Sequence, residues 1–102
     1  MLSTTRSFQT KKGLVEGAKL DWGVFSLLIL TAPKGFLGCG IFDLDAVERF
    51  GFACGIVEST PDNPIGTLER MIGRKVVRIN QKARSLGVTE GMGALEAIER
   101  MF

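Results

Sequence analysis

Residues 24–31 read Val-Phe-Ser-Leu-Leu-Ile-Leu-Thr, an apolar run interrupted by one serine. The run is too short to cross a bilayer and lacks the alternation of a strand with one wet face. It therefore predicts a strand covered on both sides. Burying its six large apolar side chains, from Val24 to Leu30, is worth about 9–18 kcal/mol gross at about 1.5–3 kcal/mol each. The chain has 102 residues and only short helical segments with which to cover it. A second copy of the chain is the simplest lid, so the sequence predicts a homo-oligomer. The residues expected at its interface are Leu14, Leu20, Val24, Phe25, Leu27, Leu28, Ile29 and Leu30.

The segments around this run are set by local signals. Residues 3–10 and 14–21 read as two strands joined at Lys11-Lys12-Gly13, where glycine allows the positive φ of a tight hairpin. Trp22-Gly23 turns the chain into the apolar run, and Ala32-Pro33-Lys34-Gly35 turns it out again. A fourth strand is expected over 36–42. Asp43 then caps a short helix that Gly51 ends. A fifth strand follows at 52–58, then a loop over 60–64 by its Thr-Pro-Asp-Asn-Pro chemistry. Ile65, Leu68, Met71 and Ile72 mark a helix stopped by Gly73. A sixth strand spans 75–79, Asn80 caps a helix ending at Leu86-Gly87, and a last helix starts at Gly93. The order predicts one α+β domain over 1–102, a mainly antiparallel sheet of about six strands with three to four short helices on one face. The N-terminal meander, 4–32, is the expected oligomerisation region, and 33–102 the α+β body.

Composition narrows the chemistry by exclusion. The chain contains no histidine. Ser-His and Cys-His activation and the common zinc, iron and copper ligand sets are therefore absent within one chain. Two cysteines do not make a disulfide scaffold or a complete structural zinc site, and neither a cofactor nor a metal is expected. With no targeting segment evident at the N-terminus, a cytoplasmic protein without a membrane span is expected. Thirteen basic and eleven acidic residues leave a net charge of +2. That charge, one tryptophan and no tyrosine disfavour nucleic acid as a partner.

Candidate chemistry gathers at Gly38-Cys39-Gly40-Ile41-Phe42-Asp43. Cys39 lies between two glycines that leave room for a ligand, and near a helix start that lowers thiol pKa values. A free cysteine is also a small hydrophobe that packs in cores. Asp43 and Asp45 form a carboxylate pair, but capping and the helix dipole account for both. Cys54-Gly55-Ile56 echoes Cys39-Gly40-Ile41, so parallel neighbours in that register would set the thiols side by side. Gly91-Met92-Gly93 ahead of a helix is a weak anion cradle that a plain turn explains as well. The candidate ligand-binding residues are Gly38, Cys39, Gly40 and Asp43.

The segment Gly38–Asp43, taken with Leu86-Gly87-Val88-Thr89-Glu90-Gly91-Met92 and the following Glu96-Ala97, resembles the YunC-like family of small bacterial and archaeal proteins. The resemblance covers roughly 14–102 and implies an N-terminal β region that mediates tetramerisation; no reaction carries over with it. Two function classes stay open: a binding or structural module without catalytic machinery, and an enzyme using Cys39 as nucleophile or Asp43 as acid/base in a site formed in the oligomer.

Overall fold

The computed structural model describes residues 1–102 as a six-stranded sheet with four short helices. Strands β1 (Leu2–Gln9), β2 (Leu14–Trp22), β3 (Phe25–Ala32) and β4 (Gly35–Gly38) form an antiparallel meander. Helix α1 (Leu44–Arg49) carries the chain across to β5 (Ala53–Val57), which runs parallel to β4. Helix α2 (Leu68–Ile72) leads to β6 (Val76–Ile79), antiparallel to β5. Helices α3 (Gln81–Ser85) and α4 (Ala94–Glu99) complete the chain. This is the α+β architecture that the order of the segments predicts, with one correction: the helices do not all share a face, since α1 packs on β5 from the side opposite α2 and α4. No helix is long and apolar enough to cross a membrane.

Local chemistry explains most boundaries. Gly13 takes φ 146° in the β1–β2 hairpin, where Thr10 Oγ1 donates to Gly13 O at 2.7 Å. Asp43 Oδ1 accepts from the backbone of Asp45 and Ala46 and so starts α1. Gly51, at φ 75°, ends it in the left-handed conformation that glycine adopts without strain. Thr67 and Asn80 cap α2 and α3 through their side chains. Two boundaries correct the sequence reading. Strand β4 ends at Gly38 rather than running to Phe42, because Phe42 folds back over Gly38 on a spot that a Cβ would occupy. Helix α2 begins at Leu68 rather than Ile65, because Gly66 at φ 71° interrupts any earlier helical turn.

Alternation divides the sheet into two unequal faces. Val15, Leu28, Leu30, Leu37, Ala53, Val57 and Val76 belong to the main hydrophobic cluster, together with Leu68 and Met71 of α2 and Ala94, Ala97, Ile98 and Met101 at the C-terminus. Gly17 lets Leu30 and Leu68 approach it, and Gly35 makes room for Ala53 and the Met101 sulfur. On the other face, the 39–52 crossover covers β4 and β5: Cys54 and Ile56 are buried there, outside the main cluster. Over the first three strands that second face has no helix upon it. Leu14, Trp22 and Phe25 are exposed there, with Phe25 retaining 44% of its surface, and Ala18, Leu20, Leu27 and Ile29 are half-buried.

The expected two-sided cover of the apolar run is therefore half supplied by the chain itself. Leu28 and Leu30 are corrected from interface candidates to core residues, since α2 and α4 pack on their side of β3. Leu14, Leu20, Phe25, Leu27 and Ile29 remain on the open face, and Val24 lies fully exposed at the β2–β3 turn.

Candidate functional site

Strands β4 and β5 are the sheet's parallel pair, so their carboxyl ends lie side by side. A crevice outside the carboxyl ends of parallel strands is where ligands bind in open α/β sheets. In this chain that position holds a cavity of about 790 Å³, within the ordinary range for small-molecule sites. One wall is the turn after β4, with Cys39, Gly40 and Ile41. The facing wall is the loop after β5, with Ser59, Thr60, Pro61, Pro64, Ile65 and Gly66. Val24, Phe25, Ser26 and Leu28 close the third side from β3 and the turn before it.

Each wall has its own support. Cys39 N donates to Leu28 O at 3.2 Å, so Cys39 stays tied to β3 one residue beyond the end of β4. The residue is 8% exposed, part of the core on one side and of the cavity lining on the other. The loop wall is folded on its own hydroxyls: Ser59 Oγ accepts from Ile65 N and Thr60 Oγ1 from Asn63 N, each at 3.1 Å. Arg74, just after α2, then clamps it. Its guanidinium donates to Glu58 O, Asn63 O, Asn63 Oδ1 and Pro64 O at 2.7–3.1 Å. Four acceptors on one planar fork hold a loop that otherwise has no regular structure.

The electrostatics are plain. None of the lining side chains is charged. The carboxylate that reaches the lining is Asp21, which accepts from Ser26 Oγ at 2.5 Å and lies 3.6 Å from the Lys19 ammonium. Ser26, Cys39, Ser59 and Thr60 supply the polar atoms, and valine, phenylalanine, leucine, isoleucine and proline the rest. Such a lining fits a neutral, partly apolar molecule. No group of three or more His, Cys, Asp or Glu side chains converges to hold a metal ion.

Of the four candidate residues, the fold brings two to the cavity and sets two apart. Cys39 and Gly40 line it. Gly38 is buried under Phe42, whose ring meets Phe36 edge-on at 5.1 Å between centroids. Asp43 is exposed and its Oδ1 is engaged in capping α1, so the site contains neither Gly38 nor Asp43. The Cys39–Cys54 pairing is also corrected. Parallel registration sets Cys54 opposite Phe36, three residues out of step with the echo. Cys54 points to the other face, where burial pushes its thiol pKa up from 9.0 to about 12. Both cysteines are free. The 59–66 wall and Ser26 were not among the sequence candidates; the proline-rich turn signal at 60–64 marked a loop without saying what it faces.

The family model for DUF1805, described as a domain of unknown function, matches residues 38–101, more than half of the chain. The match takes in the Cys39 wall, the loop wall and Arg74. No curated protein matches this chain. Among solved structures, the crystal structure of a protein of unknown function, TA1206 from Thermoplasma acidophilum, is similar over 99% of this chain and 94% of that one. The TM-score is 0.85 at 23% sequence identity, which shows a shared fold.

Proposed function

This chain belongs to the DUF1805 family of domains of unknown function, and from that footing we propose a small self-associating binding module that takes a neutral, partly apolar ligand in the cavity between Cys39 and the 59–66 loop. The observation that carries the reading is the lining itself: about 790 Å³ at the carboxyl ends of the parallel pair, with hydroxyls, a thiol and apolar groups but no charge. Self-association is supported by the open apolar face of β2 and β3, which a monomer leaves wet. A tetramer, a cytoplasmic location and the YunC-like assignment within the family belong to the same reading. The two free cysteines support the location, and the Gly38–Asp43 and Leu86–Met92 motifs, both within the matched segment, support the assignment.

Thermal shift against a library of neutral small molecules tests the site. Gly40 has nothing within 4 Å of where a Cβ would stand, and its φ is not positive. Gly40→Phe should therefore fill the cavity while leaving the melting temperature of the free protein unchanged. The proposal expects at least one compound to raise Tm in the wild type and not in Gly40→Phe. A shift of equal size in both proteins would place the ligand elsewhere.

A second reading, an enzyme with Cys39 as nucleophile, draws on one observation: Cys39 lines the cavity. Within one chain it has no base there, so a partner subunit would have to supply one. Stoichiometric alkylation of Cys39 under native conditions, faster than that of a free thiol, would favour it. An inert Cys39 would end it.

A further inference from the structure

The hydroxyls on the two sides of the cavity are not equivalent, because their protons are already allotted differently. Ser26 stands opposite Asp21 in the β2–β3 register, with its Oγ 2.5 Å from Asp21 Oδ1. A carboxylate only accepts, and a hydroxyl bonded to one sits characteristically close. The Ser26 proton is therefore committed to Asp21, and Ser26 meets the cavity with lone pairs alone. The Lys19 ammonium, 3.6 Å from the same Oδ1, steadies the carboxylate from its other side.

The loop wall is allotted the other way. Ser59 Oγ accepts from Ile65 N and Thr60 Oγ1 accepts from Asn63 N, each at 3.1 Å. A backbone N–H only donates, so both hydroxyls serve these bonds as acceptors and keep their own protons. Those protons are what the loop wall offers a ligand. The side chains beside them, Leu28, Ile65, Pro61 and Pro64, give apolar contact.

We propose that the cavity is polarised, accepting at Ser26 and donating at Ser59 and Thr60. It selects neutral molecules with an O–H or N–H at one end, a carbonyl oxygen at the other and an apolar body between. The proposal rests on the ligand site proposed above and names the class of molecule that site takes. One-ended molecules are rejected for a physical reason. An ether oxygen set against Ser26 brings lone pairs to lone pairs with no proton between them. An alkyl end set against the loop wall strips water from two hydroxyls and replaces it with nothing. A polar group left unpaired costs more than a formed bond returns, so selectivity comes from the mismatch. A free carboxylate fares worst at Ser26, where the Asp21 charge stands directly behind the hydroxyl.

Three matched probes test the polarity. The compound para-hydroxybenzylacetone has a phenol at one end and a methyl ketone at the other. Its methyl ether lacks the donor, and para-butylphenol lacks the carbonyl. Apparent affinities follow from the dependence of Tm on the concentration of each. The wild type should bind the parent compound about five- to tenfold more tightly than either relative. Asp21→Ala keeps the Ser26 hydroxyl but releases its proton, so the preference over the methyl ether should fall to within about twofold. Ser26→Ala should do the same, and in both variants the preference over para-butylphenol should persist. Ser59→Ala combined with Thr60→Val should reverse this pattern, abolishing the preference for the ketone and keeping that for the phenol. Equal binding of all three probes by the wild type, lost in Gly40→Phe, overturns the polarity and leaves the site standing. Binding of none of them also overturns the polarity. Shifts that persist at full size in Gly40→Phe overturn the site and the polarity together.

Discussion

Asn80 is bonded to Cys54 in both directions: Asn80 N donates to Cys54 O at 3.1 Å, and Cys54 N donates to Asn80 Oδ1 at 3.0 Å. The same Oδ1 caps α3 by accepting from Ala83 N at 2.9 Å, while Nδ2 donates to Phe52 O at 2.8 Å. One buried side chain therefore joins the start of β5, the end of β6 and the first turn of α3. Asn80→Ala leaves several of these groups unsatisfied and should cost about 2–4 kcal/mol. The check is a lowered urea midpoint with an unchanged m value. Asn80→Asp keeps the acceptor, loses the donor to Phe52 and should fall between alanine and wild type.

Arg74 should behave as the clamp of the loop wall. Its four hydrogen bonds reach residues 58, 63 and 64, so Arg74→Ala should speed amide exchange and proteolytic cleavage over 59–64 while the sheet keeps its protection. Arg74→Lys should not restore protection, because an ammonium lacks the planar fork that spans four acceptors. Ligand-induced thermal shifts should shrink in both variants, since the loop is one wall of the cavity.

The two cysteines should differ in kind. Cys54 is fully buried with its thiol pKa raised to about 12, so it should resist alkylation in the native protein at pH 8. Cys39 lines the cavity and should be labelled first, with mass spectrometry locating the adduct. Linkage fixes the sign of the pH effect. Above about pH 9 the unfolded chain gives up the Cys54 proton while the folded chain retains it. Stability supplied by this group is therefore complete below pH 9 and falls as pH rises towards 12. Cys54→Ala should flatten that part of the stability profile.

Gly35 tests the close approach of β4 and the C-terminus. An added Cβ would stand 2.6 Å from Ala53 O, 2.8 Å from Ala53 Cβ and 2.9 Å from Met101 Sδ. Backbone cannot yield as a side-chain tip does, so Gly35→Ala should cost about 1–3 kcal/mol as overpacking. Thermal denaturation should show the loss, and the neighbouring Gly40→Ala should show almost none.

Elements encoded by neighbouring residues were legible in the sequence, and contacts between distant ones were not. The meander, the Gly13 hairpin and the caps at Asp43 and Asn80 follow from alternation, glycine and short polar side chains. The end of β4 does not, because Gly38-Cys39-Gly40-Ile41 reads as a continuing strand until Phe42 is known to lie on Gly38. Half of the cavity was legible through Cys39 and Gly40. The other half depends on β4 and β5 being parallel in a register that the Cys-Gly-Ile echo misplaces. Likewise the apolar run announced how much surface needs cover, but only the packed fold separates Leu28 and Leu30, covered by α2 and α4, from Phe25 and its outward neighbours.

Trp22, the single tryptophan, packs against Phe25 across the open face at 5.1 Å between ring centroids. Its emission should shift to the blue with increasing protein concentration as a second copy covers the face. Leu20→Lys, on the same face, should abolish that shift.

Sedimentation equilibrium of the wild-type protein at micromolar concentration tests self-association most directly. The account predicts a folded species whose mass is a multiple of 11.1 kDa, reduced to a smaller multiple by Leu20→Lys with secondary structure intact. A folded wild-type species of 11.1 kDa across that concentration range, with Trp22 emission unchanged, would contradict it.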